Sequence, residues 1–109
     1  MTIDNWISVA AVDDLEEDDV VQVEVGGRVL AIYRIKAGYF ASDGICTHEH
    51  AYLAEGFVFD NIIECPKHQG RFDIRTGACK GAPVSEPLPT YPARVVNGMI
   101  EVNVPIATP

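Results

Sequence analysis

Ala93-Arg94-Val95-Val96-Asn97-Gly98-Met99-Ile100-Glu101-Val102-Asn103-Val104 is the stretch that decides the fold class. Two runs rich in β-formers flank Asn97-Gly98, and Asn-Gly readily supplies the two positive φ angles of a type I′ turn. A tight antiparallel hairpin is predicted here. Working back along the chain, Val21, Val23 and Val25 alternate with Gln22 and Glu24. Gly26-Gly27 intervenes, and Arg28-Val29-Leu30-Ala31-Ile32-Tyr33-Arg34-Ile35 follows, giving a second hairpin. A third, weaker one joins Phe57-Val58-Phe59 to Ile62-Ile63-Glu64 across Asp60-Asn61. Only Val12 to Val20 offers room for a helical turn, and its apolar spacing suits one poorly. The chain is expected to be all-β, a sandwich or a partly open barrel, without internal repeats.

With 109 residues the chain fits one domain, residues 1–109, that can bury a core without disulfide staples. It has no run of about 18 apolar residues and no cationic-then-apolar N-terminus, so neither a membrane span nor a secretory signal is expected. The expected compartment is cytoplasmic. The formal charge is −8, and Asp13-Asp14-Leu15-Glu16-Glu17-Asp18-Asp19 supplies six of the sixteen acids. Such a surface repels nucleic acid and anionic lipid. It would either steer a basic protein partner or serve only as a solvated face. The cysteines number three, which argues against a disulfide framework in a reducing compartment. Cys79 has no histidine nearby and reads as a small buried or half-buried thiol.

Residues 44 to 82 differ from the rest, being richer in Gly, Cys and His. Cys46-x-His48 is followed, after a gap of sixteen residues, by Cys65-x-x-His68. A thiolate and an imidazole one or two residues apart can face one point if the backbone turns, and Gly44, Pro66 and Gly70 suit such turns. The two pairs straddle the Asp60-Asn61 hairpin, whose strands would bring their ends together around a metal. Zinc accepts two thiolates and two imidazoles. Its common structural spacing, however, places both cysteines on one knuckle, whereas each knuckle here has one of each. That mixed pattern suits a 2Fe–2S cluster with two thiolates on one iron and two imidazoles on the other.

Cys46-Thr47-His48 with Cys65-Pro66-Lys67-His68-Gln69-Gly70-Arg71-Phe72-Asp73 resembles the binding motif of the Rieske ferredoxins of bacterial multicomponent aromatic-ring dioxygenases. The resemblance extends to Trp6, Gly81-Ala82-Pro83-Val84 and Leu88-Pro89-Thr90-Tyr91-Pro92, and is closest to naphthalene- and biphenyl-type members. It implies a Rieske-type antiparallel β-sandwich base, residues 1–43 and 83–109, carrying a small cluster-binding β subdomain at approximately 44–82. It further implies one 2Fe–2S cluster, with Cys46 and Cys65 on one iron and His48 and His68 on the other. The proline segment would lie against the cluster. Two departures from the wider family matter. Where the Rieske proteins of cytochrome complexes carry a disulfide between the loops, this chain has Ala51 and Lys67. Where they carry a serine and a tyrosine that donate to cluster sulfurs, it has Gly70 and Phe72. Fewer donors leave the reduced cluster less stabilised, so a potential near the bottom of the roughly −150 to +300 mV Rieske range is expected.

The resemblance also implies partners. Electrons would come from a flavin-dependent NADH reductase and go to a terminal oxygenase with its own Rieske and mononuclear iron centres. No catalysis on a substrate is expected, because both irons are fully ligated and no phosphate loop or nucleophile set occurs. The carrier is expected to be a monomer that binds neither nucleic acid nor membrane. His50 reads as a surface residue, and Glu49, Tyr52, Lys67 and Gln69 as residues of the docking tip. Two other readings remain open: a small iron–sulfur subunit of another oxidoreductase complex, and a zinc-stabilised interaction module.

Overall fold

The structure is a computed structural model that describes residues 2–3, 5–47, 50–67, 69–81 and 86–107. Its strands, in chain order, are β1 (Thr2–Ile3), β2 (Trp6–Ala11), β3 (Asp19–Val25), β4 (Arg28–Ile35), β5 (Gly38–Asp43), β6 (Phe57–Phe59) and β7 (Ile62–Glu64). There follow β8 (Arg71–Asp73), β9 (Cys79–Gly81), β10 (Thr90–Tyr91), β11 (Ala93–Val96), β12 (Met99–Asn103) and β13 (Ile106–Ala107). Helical structure among the described residues is limited to the 3-10 turns Val12–Asp14 and Leu53–Glu55. No helix among them is long and apolar enough to cross a membrane.

All the expected hairpins form. In each, the residues at the turn have positive φ: Gly26 and Gly27 (58° and 80°), Asp60 and Asn61 (48° and 66°), Asn97 and Gly98 (51° and 78°). Val25 therefore pairs with Arg28, Phe59 with Ile62 and Val96 with Met99. The helical turn allowed for between Val12 and Val20 shrinks to Val12–Asp14. Leu15 behind it is buried, and Asp19 already begins β3.

Two antiparallel sheets, β10-β5-β4-β3 and β11-β12-β2, form the sandwich base. Their facing residues, Leu30, Ile32, Ala41, Ile100, Val102 and Val104 with Leu15, make one core. A third sheet, β6-β7-β8-β9, lies within the segment that carries the Cys/His pairs, and β1 pairs with β13. Strand β4 joins the layers. Leu30 and Ile32 point into the base, while Ala31, Tyr33 and Ile35 point the other way into a second core with Leu53, Ile63, Phe72, Ile74 and Leu88. A strand buried on both faces reads as a nearly continuous apolar run, which explains why its sequence lacks clean alternation. The charge in its interior, Arg34, keeps its stem in the sheet. It donates from Nη1 to the Leu15 carbonyl at 2.8 Å and lies 5.7 Å from the centre of the Tyr39 ring.

The Tyr33 hydroxyl is the polar group in this second core. It sits 2.8 Å from Ser42 Oγ, which donates its proton to the Asp43 carbonyl at 2.8 Å. The serine has only one proton to give, so the tyrosine is the donor of the pair. Burial pushes the Tyr33 pKa well up, and the hydrogen bond to Ser42 only partly opposes it.

Candidate metal centre

Two loops carry the sequence-predicted ligands. Loop 1 runs from Gly44 to Leu53, between β5 and β6. The Cys46 N–H donates to the Ala51 carbonyl at 2.9 Å, Leu53 N–H donates to the Gly44 carbonyl at 2.9 Å, and Ile45 bridges Tyr52. Loop 2 runs from Cys65 to Gly70, between β7 and β8. The Cys65 N–H donates to the Gly70 carbonyl at 2.7 Å, directly above the Glu64↔Arg71 pair. In both loops, then, a cysteine N–H closes a ring onto the carbonyl five residues on. Each ring encloses the stretch in which its histidine falls. His48 and His68 themselves lie outside the described residues, as does Glu49.

Both thiols are buried, Cys46 at 4% exposure and Cys65 at 1%, and both belong to the second core, beside Leu53, Ile63, Phe72 and Leu88. None of the three cysteines forms a disulfide. Two buried thiols at the mouths of equivalent loops, in one apolar cluster, are suited to ligate as thiolates from opposite sides. Cys79 sits half-buried against the same core, paired with Phe72 across the sheet, as its sequence context suggested. His50 is exposed. Among the described residues no three His, Cys, Asp or Glu side chains gather, which follows when His48 and His68 fall outside that set.

Three fixtures hold the loops, and sequence reading passed over all of them. The first is polar. Tyr91 hydroxyl donates to Asp43 Oδ1 at 2.5 Å and accepts from Arg28 Nη1 at 3.0 Å, at the entry to loop 1. Burial pushes the Tyr91 pKa up, and its bond to the Asp43 carboxylate pushes the same way. The second is a backbone contact. Leu88 N–H donates to the Gly77 carbonyl at 2.8 Å, while a Cβ on Gly77 would fall 2.0 Å from the Leu88 oxygen. With φ at +79°, Gly77 is a position that only glycine fills without strain. The third is an ion pair across the neck of loop 2, Arg71 Nε to Glu64 Oε1 at 2.9 Å, with the guanidinium 5.4 Å from the Phe59 ring centre. Of the residues expected to turn loop 2, Pro66 lies in the turn, and Gln69 (φ 57°) is the left-handed residue among those described there. None of these carried a sequence signal except Gly77, and a lone glycine does not say what packs against it.

The acidic run is split by function. Asp13, Asp14, Glu16, Glu17 and Asp18 are exposed; of the six acids, Asp14 accepts the Ala11 N–H at 3.0 Å and the half-buried Asp19 accepts the Val20 N–H at 3.0 Å. Those two carboxylates shape the turn between β2 and β3; the other four face solvent. Tyr52, Lys67 and Gln69 are all exposed, on or beside the ligand loops.

Comparison with known proteins gives a consistent answer. Residues 5–92 match the family model of the Rieske [2Fe-2S] domain. Over 103 residues the chain is 46% identical to an anthranilate 1,2-dioxygenase ferredoxin subunit of Burkholderia cepacia, covering 94% of this chain and 95% of that one. It is 42% identical over 97 residues to the ferredoxin component of a naphthalene 1,2-dioxygenase system of Pseudomonas putida, covering 89% and 92%. Among solved structures it is similar to a ferredoxin chain from a complex of reduced oxygenase and oxidized ferredoxin in carbazole 1,9a-dioxygenase. The TM-score is 0.85 at 34% identity, covering 90% of this chain and 92% of that one.

Proposed function

Because the chain belongs to the Rieske [2Fe-2S] domain family, we propose that its task is to carry single electrons to a terminal aromatic-ring-hydroxylating oxygenase. It is a ferredoxin component of a dioxygenase system and not the catalyst. The observation that carries this reading is coverage: the likeness to dioxygenase ferredoxins spans nearly the whole of both chains. The likeness to a ferredoxin solved in complex with its oxygenase supports the choice of acceptor. An NADH-dependent flavin reductase is the proposed donor, a monomer the proposed state and the cytoplasm the proposed compartment.

The protein holds one Rieske-type [2Fe-2S] cluster, and we assign Cys46 and Cys65 to one iron and His48 and His68 to the other. Bound there, the cluster takes up and releases one electron at a time without a substrate site. The chain's own residues set the conditions. Leu53, Phe72 and Leu88 keep water from the thiolates, so that no solvent competes for the metal. Phe72 is fully buried and has no hydroxyl, in keeping with a low potential. Residues 44–82 act as the cluster-binding part of a single domain, with 1–43 and 83–109 as its base. Five exposed acids between β2 and β3 steer encounters with basic partner surfaces, while Tyr52, Lys67 and Gln69 meet the partner at the cluster end.

The test is chemical and spectroscopic. Purified protein should be brown, contain about two iron and two labile sulfide per chain, and bleach on dithionite to a rhombic paramagnetic signal. It should then reduce a dioxygenase-type oxygenase when supplied with NADH and reductase. A colourless, zinc-bearing protein would overturn the assignment.

A further inference from the structure

The segment 86–91 runs antiparallel to β5 and then to loop 1. Tyr91 pairs with Ala41 and Thr90 with Ser42; beyond them, Asp43 N–H donates to the Pro89 carbonyl at 2.9 Å. The same register, carried on along loop 1, would set Glu86 opposite Cys46, one residue before Thr47. There the Thr47 hydroxyl donates to the Glu86 carbonyl at 2.9 Å, across 39 residues of sequence. The strap so formed cannot complete a ladder, because Pro87 and Pro89 have no N–H to give. Two donors reach its carbonyls from this side, a backbone N–H at Asp43 and the side-chain hydroxyl of Thr47, while the Tyr91 hydroxyl at its far end donates to the Asp43 carboxylate. Between them Leu88 turns inward to the thiol-lined core and bonds Gly77.

Thr47 stands between Cys46 and His48, so its hydroxyl links a residue of the ligand loop itself to the strap. We propose that Thr47 is a positioning residue, the outermost latch holding strap 86–91 over the metal centre. This inference rests on the cluster assignment above. The Thr47–Glu86 bond is solvent-exposed and the Leu88 contact is not, so opening starts at the latch and stops at Leu88. A strap loosened in this way admits water and chelators to the Cys46 side of the centre. It leaves the ligands, and so the cluster's spectrum, unchanged.

The test compares Thr47→Val, which keeps the shape and removes the hydroxyl, with Thr47→Ser, which restores it. Iron, sulfide and the paramagnetic spectrum are measured first on holoprotein. Peptides covering residues 86–91 are then followed by hydrogen exchange, and bleaching of the reduced protein by a strong chelator is timed. Losing one hydrogen bond should speed both exchange and bleaching about 2- to 10-fold in Thr47→Val, with Thr47→Ser close to wild type. Equal rates in Thr47→Val and wild type, with normal iron, overturn the latch and leave the carrier reading standing. A Thr47→Ser protein as fast as Thr47→Val overturns it too, because the methyl and not the hydroxyl would then hold the strap. If Thr47→Val holds no iron, normal loading of Thr47→Ser supports the hydroxyl's role and failed loading overturns it. Wild-type protein without iron or sulfide brings down the cluster assignment and the latch together.

Discussion

Loop 1 and loop 2 close the same ring, from a cysteine N–H to the carbonyl five residues on, but the fixtures around each ring differ. Loop 2 is held from nearby. Its neck is one hairpin, its ion pair joins residues seven apart, and Ile63 and Phe72 beside it fill the core beneath. Loop 1 is held from afar: Asp43 at its entry meets Tyr91, 48 residues on, and Thr47 meets Glu86, 39 residues on. Ordering a long closure costs more chain entropy than ordering a short one. Loop 2 can take its shape from its own hairpin, whereas loop 1 is shaped only once the strap has returned. One half of the metal centre is local structure and the other half is tertiary structure.

The strongest test of the equivalence of the two rings is removal of each thiol in turn. Cys46→Ser and Cys65→Ser should each lose essentially all iron while the far-ultraviolet circular dichroism stays that of a β protein. Iron and sulfide assays read the result. If one variant keeps its cluster, the two loops do not contribute equal ligands.

The next largest effects separate the two kinds of support. In Gly77→Ala a Cβ would sit 2.0 Å from the Leu88 oxygen at a φ of +79°, beneath the strap. Left-handed strain plus a displaced backbone should cost roughly 3 kcal/mol. In Gly56→Ala a Cβ would sit 2.1 Å from the Glu64 oxygen, at the neck of loop 2, but φ is −89°. Only the contact has to yield there, so a cost of roughly 2 kcal/mol is expected. Urea unfolding of the two holoproteins gives both numbers. A Gly56→Ala protein that loses more stability than Gly77→Ala would reverse the order of the two supports.

The same division decides what could be read in advance. The hairpin turns were legible because Gly-Gly, Asp-Asn and Asn-Gly are local signals for positive φ. Strand β5 was not, since Lys36-Ala37 carries no such signal and Gly38-Tyr39-Phe40-Ala41-Ser42-Asp43 does not alternate. Strands β8 and β9, at three residues each, are too short to show a period. Cys46 and Cys65 stood out in the sequence through their spacing to histidine, and the fold buries both in one apolar cluster. The ties of loop 1 were not legible. A threonine that reaches Glu86 and a tyrosine that reaches Asp43 look like any other polar side chains until the chain is folded.

Asp73 belongs to both supports, since it ends β8 and its carbonyl accepts the Gly77 N–H at 2.7 Å beneath the strap. Burial raises its pKa, but the hydrogen bonds from the Arg75 side chain and backbone, with the charges of Arg75 and Lys80, outweigh burial and hold it below the usual carboxylate range. A group lowered in the folded state stabilises the fold above the unfolded value of about 3.9 and loses that contribution as pH falls through the folded value. Asp73→Asn should therefore cost on the order of 1 kcal/mol near neutral pH and show a shallower loss of stability below about pH 4. Denaturation midpoints from pH 7 down to pH 2 check this. Parallel curves for the two proteins would place the acid sensitivity on other carboxylates.

The smallest expected effect is at Arg71. Its guanidinium pairs with Glu64 at 2.9 Å, but the side chain is 47% exposed, and an exposed pair contributes about 0.5 kcal/mol, less in salt. The Phe59 ring adds a similar amount at a distance of 5.4 Å. Arg71→Met keeps the stem that covers the sheet and removes the charge. Its expected cost is below about 1 kcal/mol at low salt and smaller still in 1 M salt, with iron content unchanged. The reason is the local support of loop 2: the Cys65–Gly70 bond and the buried Ile63 and Phe72 already fix its neck. A loss above about 2 kcal/mol, or a drop in iron content, would mean that loop 2 also depends on a side-chain tie, and the contrast with Thr47 and Asp43 would fail.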